Sequence, residues 1–226
     1  MTRVTKDPDE RRTELIACAQ QLFYSKGYER TTVRDIVDAL GVAKGTFYYY
    51  FDSKQQILEA MVDELIGQSM ALLHEIVVDE TLPALVKWAR AFRELGAWKS
   101  ERKAELLAML HVMQMDENLL LRYKVQTTAV QLLSPELAKI IAQGVEEDVL
   151  ETEYVRESAG ITLSIMQGLT DPIYDILLNP RDYEDPLAQA QQEFAAAEAA
   201  IERVLGAPPG SLALVDSEAL AAWFGD

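Results

Sequence analysis

The sequence contains a single cysteine, Cys18, among 226 residues. This scarcity excludes a disulfide bond within the chain and any zinc site built from several cysteines. No apolar run approaches the roughly 20 residues that span a bilayer, and the polar start of the chain lacks the apolar segment of a signal peptide. The sequence therefore predicts a cytoplasmic protein with no membrane association.

Histidine is almost as rare, which limits the catalytic and metal-binding chemistry that the chain can support. The two histidines, His74 and His111, do not occur in a metal-binding spacing such as H-E-x-x-H, and the sequence lacks a GxGxxG motif and a phosphate-loop lysine. We therefore predict that the protein is not an enzyme and binds no cofactor or metal. Cys18 shares a helical face with Leu15 and Ala19, so it is interpreted as a packing residue, with redox sensing as the alternative.

Basic residues are also fewer than acidic residues, and the difference between them varies along the chain. The 37 acidic residues outnumber the 21 lysine and arginine residues and give a formal net charge of −16. Residues 1–54 hold nine basic against eight acidic residues, whereas the remainder holds 12 against 29. The excess acid, which would repel a phosphate backbone, is therefore placed away from the N-terminal segment.

What the chain does contain is a succession of apolar residues at helical spacing, and no segment alternates as a strand does. This periodicity predicts an all-α fold, with an N-terminal three-helix domain at 1–54 and a larger helical domain at 55–226. The proline at position 135 is expected to break the helical run. Beyond the N-terminal domain, helices are predicted over 53–73, 82–98, 101–115, 117–133, 136–147, 153–178 and 186–205.

Residues 31–54 carry the most informative pattern, which reads as two short helices joined by a tight turn. Thr31 or Thr32 can cap the first helix, and Gly41 is the residue best able to end it and turn the chain. The second helix then starts at about Ala43. This arrangement predicts a helix-turn-helix.

The second helix of this motif has one apolar face and one face rich in residue types that bind DNA. Phe47 and Phe51 lie one turn apart and are expected to face the core. On the other face, a lysine, a glycine and a threonine suit contact with base edges, and tyrosine hydroxyls can donate to phosphate oxygens. We predict that DNA is contacted by Thr31, Thr32, Arg34, Lys44, Gly45, Thr46, Tyr48, Tyr49, Tyr50 and Lys54. The alternative is that the tyrosines are amphipathic core material that solvent half covers.

The pattern as a whole resembles the N-terminal domain of the TetR family of bacterial transcriptional regulators. The matching features are the helix that ends in LFYSKGY, the Thr31-Thr32 pair, Ile36, Gly41, the GTFYYYF run and Lys54. The resemblance is specific over about residues 11–60, although many members carry a histidine at the position of Tyr50. It implies that the second helix enters the major groove, with residues 44–46 on base edges and residues 48, 49 and 54 on phosphates.

Ahead of the motif, a flexible tail is predicted over about residues 1–9. Arg3, Lys6, Arg11 and Arg12 can add contacts to phosphates or to the minor groove, with a disordered, solvated tail as the alternative.

The helices predicted over 153–178 and 186–205 carry an apolar surface wider than a single stripe, which calls for a partner. By the resemblance, two copies of this pair form a four-helix interface in a homodimer. A two-fold dimer would present two recognition helices to successive major grooves of a near-palindromic operator. The alternative is that both helices are satisfied inside one monomeric core. The apolar tail 211–226 is expected to pack on its own domain or on the partner subunit.

The resemblance also implies a pocket between the middle helices, whose ligand changes the spacing of the two DNA-binding heads. Candidate lining residues combine aromatic and soft apolar surface with a few polar groups. They are Trp88, Phe92, Trp98, Met109, His111, Met113, Tyr123, Gln126 and Met166. Ordinary core packing is the alternative for each of them. Their character favours an apolar or amphipathic effector, and the acidic composition would tolerate a cation.

These patterns together predict a ligand-responsive homodimeric repressor that a small molecule releases from a double-stranded DNA operator. The alternative, which the acidic charge favours, is a helical dimeric adaptor that binds another protein, with DNA contact secondary.

Overall fold

The computed structural model describes residues 7–224, apart from the side chain at position 117, and all regular structure in that range is helical. The all-α prediction is confirmed. Eleven α-helices and two short 3-10 turns, at Asp116–Asn118 and Pro180–Asp182, follow one another along the described chain. The helices are α1 Pro8–Lys26, α2 Val33–Leu40, α3 Lys44–Tyr50, α4 Lys54–Val77, α5 Ala84–Glu101, α6 Lys103–Met113, α7 Leu119–Glu146, α8 Val155–Gly168, α9 Thr170–Leu178, α10 Pro186–Leu205 and α11 Ser217–Phe224.

The chain divides into two compact units, the first ending at Gly67 and the second beginning at Gln68. The division falls within α4, whose first half buries Ile57 and Leu58. The sequence prediction places the domain boundary earlier, between residues 54 and 55. The two positions differ because α4 is one continuous helix that contributes to both units.

The first helix, α1, begins earlier than its apolar pattern suggests. Asp7 caps it by accepting a backbone N–H from two residues further on at 2.9 Å, and Pro8 occupies the first turn, where its missing N–H costs nothing. Part of the predicted flexible tail is therefore helical. The predicted contacts of Arg3 and Lys6 lie outside the described residues.

The second unit is built around an apolar core to which α5, α7, α8 and α10 contribute. Trp88 and Ile201 are almost completely buried there, and Leu212 and Leu214 of the C-terminal segment join the same core. The Trp88 indole N–H donates to the Ala213 carbonyl at 3.1 Å, which satisfies the polar edge of a buried ring. Of the two expectations for the apolar tail, packing on its own domain is confirmed for the described residues.

The break that was expected at Pro135 is absent, since α7 continues through this residue. Proline removes one backbone N–H and crowds the carbonyl four residues earlier, so it disfavours a helix interior. Tertiary packing outweighs this local cost: Leu121 before the proline and Ile141 after it are buried, and α7 packs along much of α8. The two helices predicted on either side of the proline are one.

The helix predicted over 153–178 is instead divided into α8 and α9, with Leu169 between them. Pro172 accounts for the interruption because it has no N–H to donate to the carbonyl of Gly168, and its ring crowds that same carbonyl. The helix α10 follows the prediction closely, and Gly206 ends it in the left-handed region with φ of 60°.

Replacing Gly206 by alanine is predicted to destabilise the second unit more than replacing Gly210. Both residues have positive φ, +60° and +78°, which a side chain disfavours. Only at Gly206 would an added Cβ also collide, lying 2.6 Å from the Glu151 Cβ and 2.8 Å from its carbonyl oxygen. We expect Gly210→Ala to cost about 1 kcal/mol and Gly206→Ala about 2 kcal/mol or more in urea unfolding. Equal losses would show that the close approach is unimportant.

Candidate nucleic-acid interface

The start of α2 is fixed by a network around one carboxylate. The Asp35 N–H donates to the Thr32 hydroxyl oxygen at 3.2 Å, and the Thr32 N–H donates to the Asp35 carboxylate at 2.7 Å, which completes a capping box. Lys26, at the end of α1, pairs with the same carboxylate at 2.7 Å. Hydrogen bonds from Lys26 and then from Thr32 hold the pKa of Asp35 well below its usual range. The network ties α2 to α1.

A tight turn joins α2 to α3. Gly41 adopts the left-handed conformation, with φ of 64° and ψ of 31°, and the Val42 N–H donates to the Val37 carbonyl at 2.9 Å. Ala43 then precedes α3 without offering a side-chain cap. The predicted helix-turn-helix is confirmed.

Two buried phenylalanines fix the inner side of α3. Phe47 is 0% and Phe51 2% exposed, and their ring centroids are 5.9 Å apart. The Arg12 guanidinium lies 5.3 Å from the centroid of the Phe51 ring. Full burial of a phenylalanine contributes about 1.5–3 kcal/mol, which matters because a helix of seven residues is unstable alone.

The opposite surface of α3, here called the α3 outer face, consists of Lys44, Gly45, Thr46, Tyr48 and Tyr49. Tyr49 is 76% and Tyr48 47% exposed, while Thr46 is half-buried. The Lys44 ammonium lies 5.6 Å from the centroid of the Tyr48 ring. The exposure of Tyr49 does not fit the alternative of core material that solvent half covers, whereas the exposure of Tyr48 is compatible with it.

The structure gives no packing reason for a glycine at position 45. The φ of Gly45 lies outside the left-handed region, and a Cβ added there would meet no atom within 4 Å. Glycine within a helix costs about 0.5–1 kcal/mol relative to alanine. The glycine leaves room for a group outside the chain to approach the backbone of α3.

Thr31 and Lys54, both predicted to contact DNA, are used inside the fold. Thr31 is 1% exposed, and its hydroxyl lies 2.8 Å from the Gly27 carbonyl and 3.2 Å from that of Leu22. This burial contradicts a side-chain contact with DNA. The Lys54 ammonium donates to the Tyr28 carbonyl at 2.7 Å and lies 3.9 Å from the centroid of the Tyr28 ring. The sequence contains no sign of the Leu22 and Tyr28 carbonyls as partners, because they lie nine and 26 residues away.

The remaining candidates lie beside α3. Tyr50 is half-buried, and its ring meets that of Tyr49 edge to face at 4.8 Å. Arg34 pairs with Asp38 at 3.4 Å, with 86% and 68% of the two side chains exposed. An exposed pair of this kind contributes about 0–1 kcal/mol, so Arg34 can exchange its partner for a phosphate at little cost.

The predicted effector-lining residues on α5 and α8 have different surroundings. Phe92 and Met166 are partly buried and pack against the core of the second unit. Trp88 is 1% exposed, so its ring is committed to that core. Trp98 lies beneath the Arg102 guanidinium, 4.8 Å from the ring centroid. Of these residues, only Phe92 and Met166 both contact the core and keep part of their surface accessible to solvent.

The other predicted lining residues lie on α6 and α7. Met109 and Met113 are buried, whereas His111 and Tyr123 are exposed, Tyr123 to 66%. Gln126 accepts a hydrogen bond through its backbone carbonyl from a glutamine of α8 at 2.8 Å. The exposure of His111 and Tyr123 contradicts their placement in an enclosed apolar pocket.

The Cys18 thiol lies 3.7 Å from the Ile36 carbonyl oxygen, and burial raises its pKa. A raised pKa lowers thiolate reactivity, which agrees with a packing role. Across residues 7–224, no helix combines the length and the apolar character needed to cross a bilayer, and no three His, Cys, Asp or Glu side chains are grouped to hold a metal ion.

Comparison with known proteins agrees with the geometry of the N-terminal helices. The family model of bacterial regulatory proteins of the tetR family matches residues 15–61. The N-terminal helices of this chain are therefore similar to those of the TetR family. The HTH-type transcriptional repressor KstR2 of Rhodococcus jostii (strain RHA1) is 44% identical over 68 residues, which cover 28% of this chain and 33% of the relative. The match thus spans about a third of the length of this relative.

Solved structures extend the likeness of fold to the rest of the chain. A TetR-family transcriptional regulator from Pectobacterium atrosepticum has a TM-score of 0.65 at 19% identity and covers 91% of this chain and 100% of its own. RolR in complex with resorcinol has a TM-score of 0.53 at 19% identity, with 96% and 94% covered. Both establish the shared fold, a helix-turn-helix domain followed by a helical domain.

The Asp35→Ala variant is predicted to lose stability in a pH-dependent way. Because the folded-state pKa of Asp35 is depressed, its stabilisation is fully present above the unfolded value of about 3.9 and is lost as pH falls through the folded value. The difference in unfolding free energy between wild type and variant, measured with urea, should therefore shrink below about pH 4. Asp38→Ala, which removes an exposed carboxylate from the same helix, should have a smaller effect at neutral pH. A difference that is independent of pH would refute this account.

Proposed function

We propose that this chain is a sequence-specific DNA-binding transcriptional regulator, which acts as a homodimeric repressor and responds to a small molecule. The observation that carries the proposal is the α3 outer face, which lies on a helix held from behind by Phe47 and Phe51. A lysine, a glycine, a threonine and two tyrosines there present donors and a point of close approach on a rigid support. The matches to the tetR-family model and to the repressor KstR2 support this function.

Within α3, the first residues are assigned to base edges and the tyrosines to phosphates. Lys44 reaches guanine acceptors, Gly45 lets the backbone approach, and Thr46 offers a hydroxyl and a methyl group. The hydroxyls of Tyr48 and Tyr49 donate to phosphate oxygens, which fixes the register without reading sequence. Further phosphate contacts are assigned to Thr32, Arg34 and Tyr50, whereas the Lys54 ammonium is already bonded to the Tyr28 carbonyl.

The homodimer is proposed to form through α8, α9 and α10. Ile161 of α8 is 50% exposed, although the other side of the same helix buries Ala159 and Leu163. This exposure leaves Ile161 accessible to a second subunit, and the dimer itself is inferred from the resemblance to the TetR family. Two-fold symmetry would set the two copies of α3 about 34–36 Å apart, which matches successive major grooves of a near-palindromic operator.

The effector is proposed to bind in the second unit. Phe92 and Met166 supply partly buried aromatic and soft apolar surface, and RolR, which shares the fold, has been solved with resorcinol. An effector that prefers a conformation with a different separation of the two α3 helices lowers operator affinity, typically by about 1–3 kcal/mol. The continuous helix α4 is proposed to transmit this change.

The acidic composition favours one alternative, a helical dimeric adaptor that binds another protein. Residues 55–226 hold 29 acidic against 12 basic residues, which weakens non-specific attraction to DNA. In the regulator, specific contacts of α3 would replace that attraction. Substitutions on the α3 outer face therefore separate the two functions, since only the regulator depends on them for its partner.

The proposed function is tested by selecting binders from a pool of random duplex DNA. Wild-type protein should enrich a near-palindrome, and Lys44→Ala should lose affinity for it by about 1–3 kcal/mol while relaxing the preference at one base position. Tyr49→Phe removes only a hydroxyl and should weaken binding to all sequences alike. Lys139→Ala, at an exposed lysine paired with Glu136 on α7, is the control of equal charge and should bind as wild type does.

The selection also has an outcome that favours the adaptor. If no sequence is enriched at low salt, or if Lys44→Ala and Tyr49→Phe bind the selected DNA as wild type does, the α3 outer face is not a DNA-binding surface.

Gly45→Ala is predicted to make the protein more stable and a poorer DNA binder at once. The added methyl group meets nothing within the fold, so stability should rise by about 0.4–1 kcal/mol, while the same methyl group would stand between the α3 backbone and DNA. Gly67→Ala is the matched control, because Gly67 also lies in a helix with open space around it. It should stabilise the protein with no loss of affinity for the selected operator. Equal affinity of both variants would remove Gly45 from the interface.

A further inference from the structure

Three large apolar side chains are exposed to solvent at the start of α7. Leu120 is 81%, Tyr123 66% and Leu119 55% exposed. Helical spacing places Tyr123 between the two leucines on one side of the helix, and Leu121, which points to the other side, is buried. The three exposed side chains form a contiguous apolar surface, here called the α7 patch, that the fold of one chain leaves uncovered.

The grouping of these residues distinguishes them from other exposed apolar side chains. Outside α3, the other large apolar residues that the described structure exposes occur singly along the sequence. Single exposed apolar residues are ordinary, whereas a contiguous group of them marks an interaction surface. The exposure that excludes Tyr123 from an enclosed effector pocket therefore places it on a surface that calls for a partner outside the chain.

The charge around the α7 patch narrows the choice of partner. Residues 106–135 hold two acidic and two basic residues, so this stretch has no net charge, whereas the rest of residues 55–226 holds 27 acidic against 10 basic residues. A neutral surface offers no attraction to a phosphate backbone or to an anionic lipid surface. It is also a part of this acidic unit where two copies of the chain repel each other little.

The order of the charges fits the same surface of a second copy. Asp116 precedes Leu120 by four residues, Lys124 follows it by four, and both are exposed. If two copies pack antiparallel across a two-fold axis at Leu120, Asp116 of each copy faces the partner's Lys124. One such contact would bury the apolar side chains of both copies and pair both charges. The α7 patch is thus complementary to itself.

We propose that the α7 patch is a second interface between copies of this chain, which joins homodimers into larger assemblies. It is separate from the surface of α8, α9 and α10 that is assigned to the dimer. The inference goes beyond the proposed function, because the dimer alone supplies the two recognition helices that an operator requires. The interface is small beside a standard one of about 20–30 residues a side, which suits the weak association of dimers that are already formed.

The test is the mass of the full chain without DNA, measured by sedimentation equilibrium over a wide range of protein concentration. Wild-type protein should exceed the mass of a dimer as the concentration rises. Leu120→Glu sets two carboxylates against each other at the two-fold axis and should weaken this association by about tenfold or more, leaving dimers. Leu132→Glu is the matched control, since this leucine is 44% exposed and lies about 18 Å further along α7. It should associate as wild type does.

An exchange of charges tests the antiparallel arrangement and leaves the apolar surface unchanged. Asp116→Lys alone should weaken the association by placing lysines opposite each other, and Lys124→Asp alone should do so by placing carboxylates opposite each other. The double variant should restore the association. Within one chain the two residues are separated by about 12 Å along the helix axis, so restoration requires a contact between copies.

Ile161→Glu separates the α7 patch from the dimer of the proposed function. With the exposed side of α8 disrupted, the chain should still pair through the α7 patch and stop at two copies. If this variant keeps the larger assemblies, the proposed dimer surface is wrong and the α7 patch is still supported.

The remaining outcomes overturn the second interface. They are a wild-type mass that never exceeds the dimer, an assembly that Leu120→Glu leaves unchanged, and a double exchange that restores nothing. Leu120→Glu that yields monomers would assign the α7 patch to the dimer itself, which also contradicts the proposal.

Discussion

The burial of Phe47 and Phe51 is the constraint on which the candidate interface depends. The helix that carries them has seven residues and no side-chain cap, so it would not persist without tertiary packing. With these two rings fixed in the core one turn apart, helical geometry leaves residues 45, 48 and 49 on the opposite side. The outward orientation of the residues on the α3 outer face is thus a consequence of the burial of the two phenylalanines on the opposite side of the helix.

Two basic side chains that composition assigns to phosphate binding are engaged by the fold. Lys26 neutralises Asp35 at the start of α2, and Lys54 bonds the Tyr28 carbonyl at the start of α4. The nearly even count of charges in residues 1–54 therefore overstates the positive charge that is available to DNA. Affinity has to come from a few directed contacts of α3, in contrast to a broad basic surface.

Whether a feature of this structure could be predicted depends on how far apart in the sequence the residues that determine it lie. The α2–α3 motif was predicted because Gly41 and the phenylalanine spacing are local signals. Sequence could not choose between two adjacent threonines as the cap of α2, because the burial of Thr31 and its hydrogen bond to the Leu22 carbonyl, nine residues earlier, depend on the packing of α1. The same limit applies to the prolines. The sequence predicts a break at Pro135, where α7 continues, and an unbroken helix across Pro172, where the chain is interrupted.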